Sequence, residues 1–208
     1  RYAEAEPIYI KVLELRRDIL GEKHPDTIGS MAELATTYHA QGRYAEAEPI
    51  YIKVLELRRE VLGEKHPDTI KSMASLAATY YAQGRYAEAE PIDIKVLELR
   101  REVLGEKHPD TIRSMAELAT IYHAQGRYAE DEEISIKVLE LRREVLGEKH
   151  PDSLQAMHDL AITWNSQGRR DDAIGLMNKC LRLRQTVLGQ DHLFTKQSAQ
   201  SLESWENG

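Results

Sequence analysis

Cysteine and long apolar runs are nearly absent from this chain of 208 residues. The single cysteine, Cys180, cannot form an internal disulfide, and no cysteine pair is available for a four-ligand zinc site. This usage fits a reducing compartment, and we expect a cytoplasmic location. No apolar run reaches the length of about 18 residues that a spanning helix needs, so we expect no membrane association.

Catalytic and nucleotide-binding motifs are missing as well: the sequence holds no GxxxxGK[ST] loop, no GxGxxG and no HExxH. We therefore predict a protein that is not an enzyme, with no catalytic residues, no metal and no cofactor. Paired acids such as Asp171 and Asp172 open predicted helices, where the helix dipole favours them. Cys180 lies in an apolar helical stretch and is interpreted as a small core residue.

Acidic residues outnumber basic ones, 35 against 28, which gives a formal net charge of −7. A nucleic-acid backbone would meet the wrong overall sign, so we expect no nucleic-acid partner.

The sequence consists of repeats. RYAEAEPI recurs at Arg1, Arg43 and Arg85, with a period of 42 residues. We predict one array over residues 1–208, with units 1–42, 43–84, 85–126 and 127–168 and a divergent terminal unit, 169–208. Residues 193–206 are expected to cap the array, because an end repeat faces water on one side.

Each unit contains two helical stripes of apolar residues. The first, helix A, begins at His24-Pro25-Asp26 and ends before Gly42; the second, helix B, runs from Tyr44 to Leu62. Pro49 predicts a mild kink in helix B. We expect an all-α fold, a right-handed α-solenoid (superhelix) of stacked antiparallel helix pairs with about ten helices.

Five of the eight histidines occupy the same connector between repeats and are interpreted as capping residues. They are His24, His66, His108, His150 and His192. The other three, His39, His123 and His158, are placed on the A-helix face, where contact with a partner is favoured over metal binding.

The spacing Met31-x2-Leu34-Ala35-x2-Tyr38 followed by Ala47-x3-Tyr51 resembles the tetratricopeptide repeat. The 42-residue length resembles the repeats of kinesin light chains. The phrases GEKHPDTI and LAxTYxxQGRYAEAE resemble, more closely, the C-terminal arrays of fungal STAND or NLR-like receptors. The resemblance covers essentially the whole chain. It implies a protein-binding superhelix whose concave wall is made mostly by A helices.

Two departures from the pattern predict sites wetter than the family norm. Asp131 replaces the alanine of the other repeats, and Asp93 and Ser135 replace Tyr9 and Tyr51.

When the first three units are aligned, eight equivalent positions, or columns, differ between units. Four of these variable columns (29, 33, 36 and 39, numbered in the first unit) fall on one face of helix A, opposite the apolar stripe. Charges on helix B, such as Lys53 and Glu56, stay constant, so simple drift of solvated positions does not account for the pattern. We therefore predict that a peptide or protein partner binds this variable face, with Tyr81 as the first choice for truncation. The predicted partner-binding residues are Gly29, Glu33, Thr36, His39, Lys71, Ser75, Ala78, Tyr81, Arg113, Glu117, Thr120, His123, Gln155, Asp159, Ile162 and Asn165.

Three functions remain open at this stage. The first is the ligand-sensing part of a fungal NLR-like receptor; the second is a cargo adaptor of kinesin-light-chain kind; the third is a structural or engineered array without a specific ligand. Residue 1 is Arg rather than Met, so we expect that an upstream segment is missing. Without a preceding A helix, Tyr2, Ala5, Ile8 and Val12 are expected to be partly exposed and to favour end-to-end self-association.

Overall fold

The protein is all-α, with ten helices between residues 2 and 207 in this computed structural model, which describes side chains from Glu6 onward. The helices are α1 (Tyr2–Leu20), α2 (Pro25–Ala40), α3 (Tyr44–Leu62), α4 (Pro67–Ala82), α5 (Tyr86–Leu104), α6 (Pro109–Ala124), α7 (Tyr128–Leu146), α8 (Pro151–Ser166), α9 (Arg170–Leu188) and α10 (Leu193–Asn207). The predicted fold class is confirmed, with A helices (even numbers) alternating with B helices (odd numbers).

Local chemistry explains where the A helices begin. The His24 side chain accepts a hydrogen bond from the Asp26 amide at 3.2 Å, which satisfies one of the free N–H groups of the first turn. Pro25 follows as the first helical residue, where its missing N–H costs nothing. His66, His108, His150 and His192 make the equivalent bond, so the predicted capping role of all five connector histidines is confirmed.

Glycines end the helices as predicted. Gly42 follows α2 with φ at 75°, and Gly63 follows α3 with φ at 85°. This left-handed region is disfavoured for residues with a Cβ atom. Helix α3 remains one helix through Pro49, which lies in its second turn.

The chain forms two compact units, one up to Val103 and the other from Leu104. In the first unit α2 packs between α1 and α3, and α4 packs on α3. Its core joins Ile28, Met31 and Leu34 of α2 with Val54 and Leu57 of α3. Ile70 and Met73 of α4 continue the core towards Val96 and Leu99 of α5.

In the second unit α6 to α10 pack in sequence, each on the next. Helix α10, which covers the segment predicted to cap the array, buries Thr195, Ser198 and Leu202 and leaves Glu203 exposed; its role as a cap stays a prediction. Cys180 is buried as predicted, and its thiol lies 3.2 Å from the Leu154 carbonyl oxygen.

The first helix carries exposed apolar side chains. Ile8 is 63% exposed and Val12 is half-buried, while the side chains of Tyr2 and Ala5 lie outside the described residues. Self-association through this helix stays a prediction.

Candidate functional site

The predicted partner-binding residues lie on the outward faces of α2 and α4 in the first unit and of α6 and α8 in the second. None of the 16 is buried: seven are exposed and nine are half-buried. The apolar stripe of the same helices, such as Met31 and Leu34 in α2, is almost completely buried. The two-sided A helix inferred from the repeat columns is therefore present in the structure.

A groove of about 590 Å³ lies between α2 and α4 in the first unit. Five predicted residues line it: Gly29, Glu33, Thr36, Lys71 and Ser75. His39, Ala78 and Tyr81 lie nearer the C-terminal ends of their helices and are not among the lining residues. A Cβ atom at Gly29 would meet open space, so the groove has room for the longer side chains that stand in this column in other repeats.

Residues from B helices also line this groove, and sequence reasoning missed them. Arg58 of α3 donates hydrogen bonds to the Asp68 carbonyl oxygen at 3.0 Å and to the Ser72 hydroxyl at 2.8 Å. Burial lowers the pKa of its guanidinium, and the nearby Asp68 opposes that shift. The recurrence of this arginine at Arg16, Arg58, Arg100, Arg142 and Arg184 is the sequence signal that could have identified it.

Tyr9 and Tyr51 complete the lining from the B helices. The Tyr51 hydroxyl donates to the Thr36 hydroxyl at 3.1 Å, and burial raises the pKa of the phenol. The groove lining thus combines hydroxyl groups with the cationic side chains of Lys71 and Arg58 and the carboxylate of Glu33.

The residues of the fourth variable column contact an aromatic ring at the start of the next helix. His39 lies 5.0 Å from the Tyr44 ring, and Tyr81 lies 5.3 Å from the Tyr86 ring, measured between ring centres. Burial raises the pKa of Tyr81. These side chains are therefore partly supported by the protein before any partner binds.

Constant residues form the frame behind this variable face. The Arg85 guanidinium lies 4.2 Å from the centre of the Tyr80 ring and bonds Glu48 at 2.7 Å and Glu88 at 2.6 Å. The bond from Arg85 lowers the pKa of the Glu48 carboxyl. Arg43 repeats the arrangement with Tyr38, so each bond set ties one repeat to the next.

Charges on the B helices also have structural partners. Lys53 lies 3.7 Å from Glu22, and Lys179 lies 2.7 Å from Glu148, each pair joining a B helix to the preceding connector. Part of the constancy of these charges therefore comes from ion pairing. Surface ion pairs contribute little energy, so ion pairing alone does not explain why these charges are constant while the A-helix face varies.

In the second unit the same columns have different surroundings. A cavity of about 300 Å³ lies beside Arg113 and Arg142, which occupy the repeat positions of Lys71 and Arg58. Half-buried Asp159 accepts a bond from Gln155 at 2.8 Å, and burial raises its pKa to about 6. His158 corrects our expectation: it is only 7% exposed, because it packs against Arg184 and Ser198 instead of lying on the open face.

Asp131, Ser135 and Asp93 also differ from expectation, since all three are buried instead of wet. The Asp131 carboxylate accepts bonds from Ser135 at 2.8 Å and from Thr163 at 2.7 Å, and it lies 2.8 Å from the Nδ1 atom of His123. The partners of this carboxylate are therefore protein side chains from three helices.

Among the described side chains, from Glu6 to Asn207, no group of three or more His, Cys, Asp or Glu residues is arranged to hold a metal ion. None of the helices in the described part of the chain has the length and apolar character of a membrane span.

The tetratricopeptide repeat profile matches residues 1–51, 28–92, 75–130 and 116–186. The chain belongs to the tetratricopeptide repeat family. Such repeats are protein-interaction scaffolds, so protein or peptide partners follow from the family, and no enzymatic family is indicated.

Relatives of this tetratricopeptide protein agree with that assignment. A solved kinesin-light-chain-like protein of Podosopora anserina, with nearly identical repeats, is 28% identical; the match covers 89% of this chain and 88% of that one, with a TM-score of 0.79. The structure of BtubC from P. vanneervenii has a TM-score of 0.82 at 20% identity, over 100% of this chain and 84% of that one, and shows the fold alone. Human mitochondrial tetratricopeptide repeat protein 19 is 49% identical over 41 residues, which is 20% of this chain and 11% of that protein.

Proposed function

We propose that the variable face of the A helices, and above all the groove between α2 and α4, binds a peptide or a segment of a protein partner. The observation that carries this proposal is the position of the variable columns. Gly29, Glu33 and Thr36 of one repeat and Lys71 and Ser75 of the next line one groove, while Arg58 and Ser72, which also line it, are constant among the first three units. A constant frame with changeable lining residues suits recognition.

The chemistry of the groove favours a polar, extended peptide. Arg58 and Lys71 supply positive charge, Glu33 supplies negative charge, and the hydroxyls of Thr36 and Tyr51 offer hydrogen bonds. A groove of about 590 Å³ lies within the size range of peptide and small-ligand sites.

Lys71 and Lys53 provide a matched pair for testing the site. Peptides selected from a random display library against the whole chain serve as probes, and their affinity is measured by calorimetry. We expect Lys71→Ala to weaken binding about fivefold, because it removes a contact in the groove, and Lys53→Ala on α3 to leave the affinity unchanged. Equal losses from Lys53→Ala and Glu56→Ala would place the site on the B helices instead.

At the level of biology, we propose that the array senses a ligand for an NLR-like receptor. The repeat phrases GEKHPDTI and LAxTYxxQGRYAEAE support this role, as does the changeable face, which suits a ligand that varies.

A second candidate, a cargo adaptor of kinesin-light-chain kind, is favoured by the similarity to the Podosopora anserina protein. The encoding gene separates the two: a nucleotide-binding domain joined to this array supports the receptor, and a long heptad coiled coil supports the adaptor. Failure to select any binding peptide would leave the third candidate, a structural or engineered array.

A further inference from the structure

One buried carboxylate of the second unit stands at a repeat position that is alanine in the first unit. Asp131 on α7 is 3% exposed and stands where Ala5, Ala47 and Ala89 stand in the other repeats. It lies beneath His123, a residue of the variable face, with Asp131 Oδ2 and His123 Nδ1 at 2.8 Å. The first unit has the same histidine, His39, above an alanine, Ala47.

The bonds around Asp131 decide which ring nitrogen of His123 carries the proton. The hydroxyls of Ser135 and Thr163 lie 2.8 Å and 2.7 Å from the two carboxylate oxygens, where both can donate to an ionised carboxylate. An ionised carboxylate has no proton to give, and the imidazole nitrogen beside it must therefore be the N–H donor. The neutral ring then has its lone pair on Nε2.

The free nitrogen is available to a ligand. The His123 side chain is 33% exposed, and Nε2 makes no hydrogen bond with the described residues. The contact with the Tyr128 ring, at 5.1 Å between ring centres, holds the imidazole from one side. In the first unit the Nε2 atom of His39 is instead buried without a partner, so His39 offers no such acceptor.

Other polar side chains lie in the same part of the second unit. The Thr163 hydroxyl lies within hydrogen-bond distance of both the Asp131 carboxylate and the Asp159 carbonyl oxygen, which links α7 to α8. Glu117, on the same face of α6 as His123, is exposed. Arg113 is the basic residue of this face, and it is paired with Asp110.

We propose that Asp131 fixes His123 as a hydrogen-bond acceptor and so creates a subsite, on the A-helix face of the second unit, for a primary ammonium or guanidinium group of the bound peptide. The subsite rests on the proposed function for its ligand, whereas the fixed tautomer does not. Asp131 is a positioning residue, and His123 Nε2 is the atom that contacts the ligand.

The tautomer is tested on the whole chain by nitrogen NMR of the histidine rings at about pH 8, where an ordinary imidazole is neutral. We expect the proton of His123 on Nδ1. The variant Asp131→Ala restores the residue of the other repeats, so it should fold, and we expect it to move the proton to Nε2. A proton on Nε2 in the parent protein, or no change in Asp131→Ala, would overturn the proposal.

The ligand is tested with two short blocked peptides, Ac-Lys-Gly-Lys-NH2 and Ac-Glu-Gly-Glu-NH2, titrated against the same resonances. We expect the lysine peptide to shift the His123 signals and to bind about tenfold more weakly to His123→Ala and Asp131→Ala, with Lys53→Ala on α3 as an unaffected control. Equal shifts from the glutamate peptide, or an unchanged affinity in Asp131→Ala, would refute the subsite. Failure of the proposed function would appear separately, as an unchanged affinity of Lys71→Ala for the peptides selected from the display library.

The first unit allows the reverse experiment. His39 and Thr79 already occupy the positions of His123 and Thr163, and only the carboxylate and the small hydroxyl residue are missing. We expect the double variant Ala47→Asp with Tyr51→Ser to move the proton of His39 to Nδ1. A folded double variant that keeps the proton of His39 on Nε2 would count against the proposal.

Discussion

At the scale of single residues, the second unit contains titratable side chains that are partly or fully shielded from water by the fold. Half-buried Asp159 and buried His158 are neighbours in α8, and burial shifts their pKa values in opposite directions, to about 6 and about 4. Both shifts favour the neutral form, as burial does for acids and bases alike. Each group therefore makes stability depend on pH.

The variant Asp159→Asn tests how much the ionised, half-buried carboxylate lowers the free energy of unfolding. The folded-state pKa is raised from 3.8 to about 6, so the folded chain binds more protons than the unfolded chain between these values. The free energy of unfolding therefore falls as the pH rises through this window, and the loss is complete above it. We expect the variant to be more stable than the parent by about 1–2 kcal/mol near neutral pH and equally stable near pH 4.

Urea denaturation at the two pH values measures this difference in stability. The contribution of His158 to the pH dependence cancels in the comparison because both proteins contain this residue. Glu33→Gln, at the exposed equivalent position in α2, is the matched control and should show no such dependence. A stability difference for Asp159→Asn that is the same at both pH values would contradict the burial argument.

Residue identity predicted some of this chemistry and missed the rest. The capping role of His24 follows from its neighbours Pro25 and Asp26, and such local bonds can be predicted from sequence. The partners of Asp131 include Thr163, which is 32 residues away, and His158 is covered by Ser198, 40 residues away. Contacts of that range depend on how helices pack, so the sequence predicted water where the fold supplies donors.

At the scale of helices, one buried arginine connects α9 and α10. Arg184 of α9 is 1% exposed and donates bonds of 2.8 Å to the Phe194 carbonyl oxygen, the Ser198 hydroxyl and the Gln155 side chain. Burial lowers the pKa of this guanidinium. Arg184 therefore attaches the capping helix α10 to the body of the second unit.

Arg184→Ala should loosen α10 before the rest of the chain. The substitution leaves buried acceptors without donors and opens a cavity, so we expect a loss of about 2–4 kcal/mol in the free energy of unfolding. Hydrogen exchange should quicken first at residues 195–202. Arg182→Ala, on the exposed side of the same helix, should change stability by less than about 0.5 kcal/mol. Similar effects of the two variants would mean that Arg184 does not hold the cap.

Helix boundaries could be predicted well because their signals are local. Pro25 and its equivalents mark the starts of α2, α4, α6 and α8, and positive-φ glycines mark the ends. The floor of the groove could not be predicted in the same way. Arg58 reaches it from a B helix, and only the packing of α3 against α4 determines that its guanidinium meets Ser72.

At the scale of the whole molecule, near-identical repeats divide the work between constant and variable positions. Bonds such as those of Arg85 to Glu48 and Arg43 to Glu6 join successive repeats, so these residues cannot change one at a time without loss. The variable columns of the A helices take no part in these arginine–glutamate bonds. This division explains how a tetratricopeptide array could alter its lining residues while keeping its fold.

Mapping the binding site of a selected peptide by NMR on the whole chain tests the central claim most directly. We predict that the largest shifts occur on the open faces of the A helices, around Glu33, Lys71 and Ser75. Shifts concentrated on the B helices, around Lys53, Glu56 and Lys95, with the A-helix residues unmoved, would contradict the account.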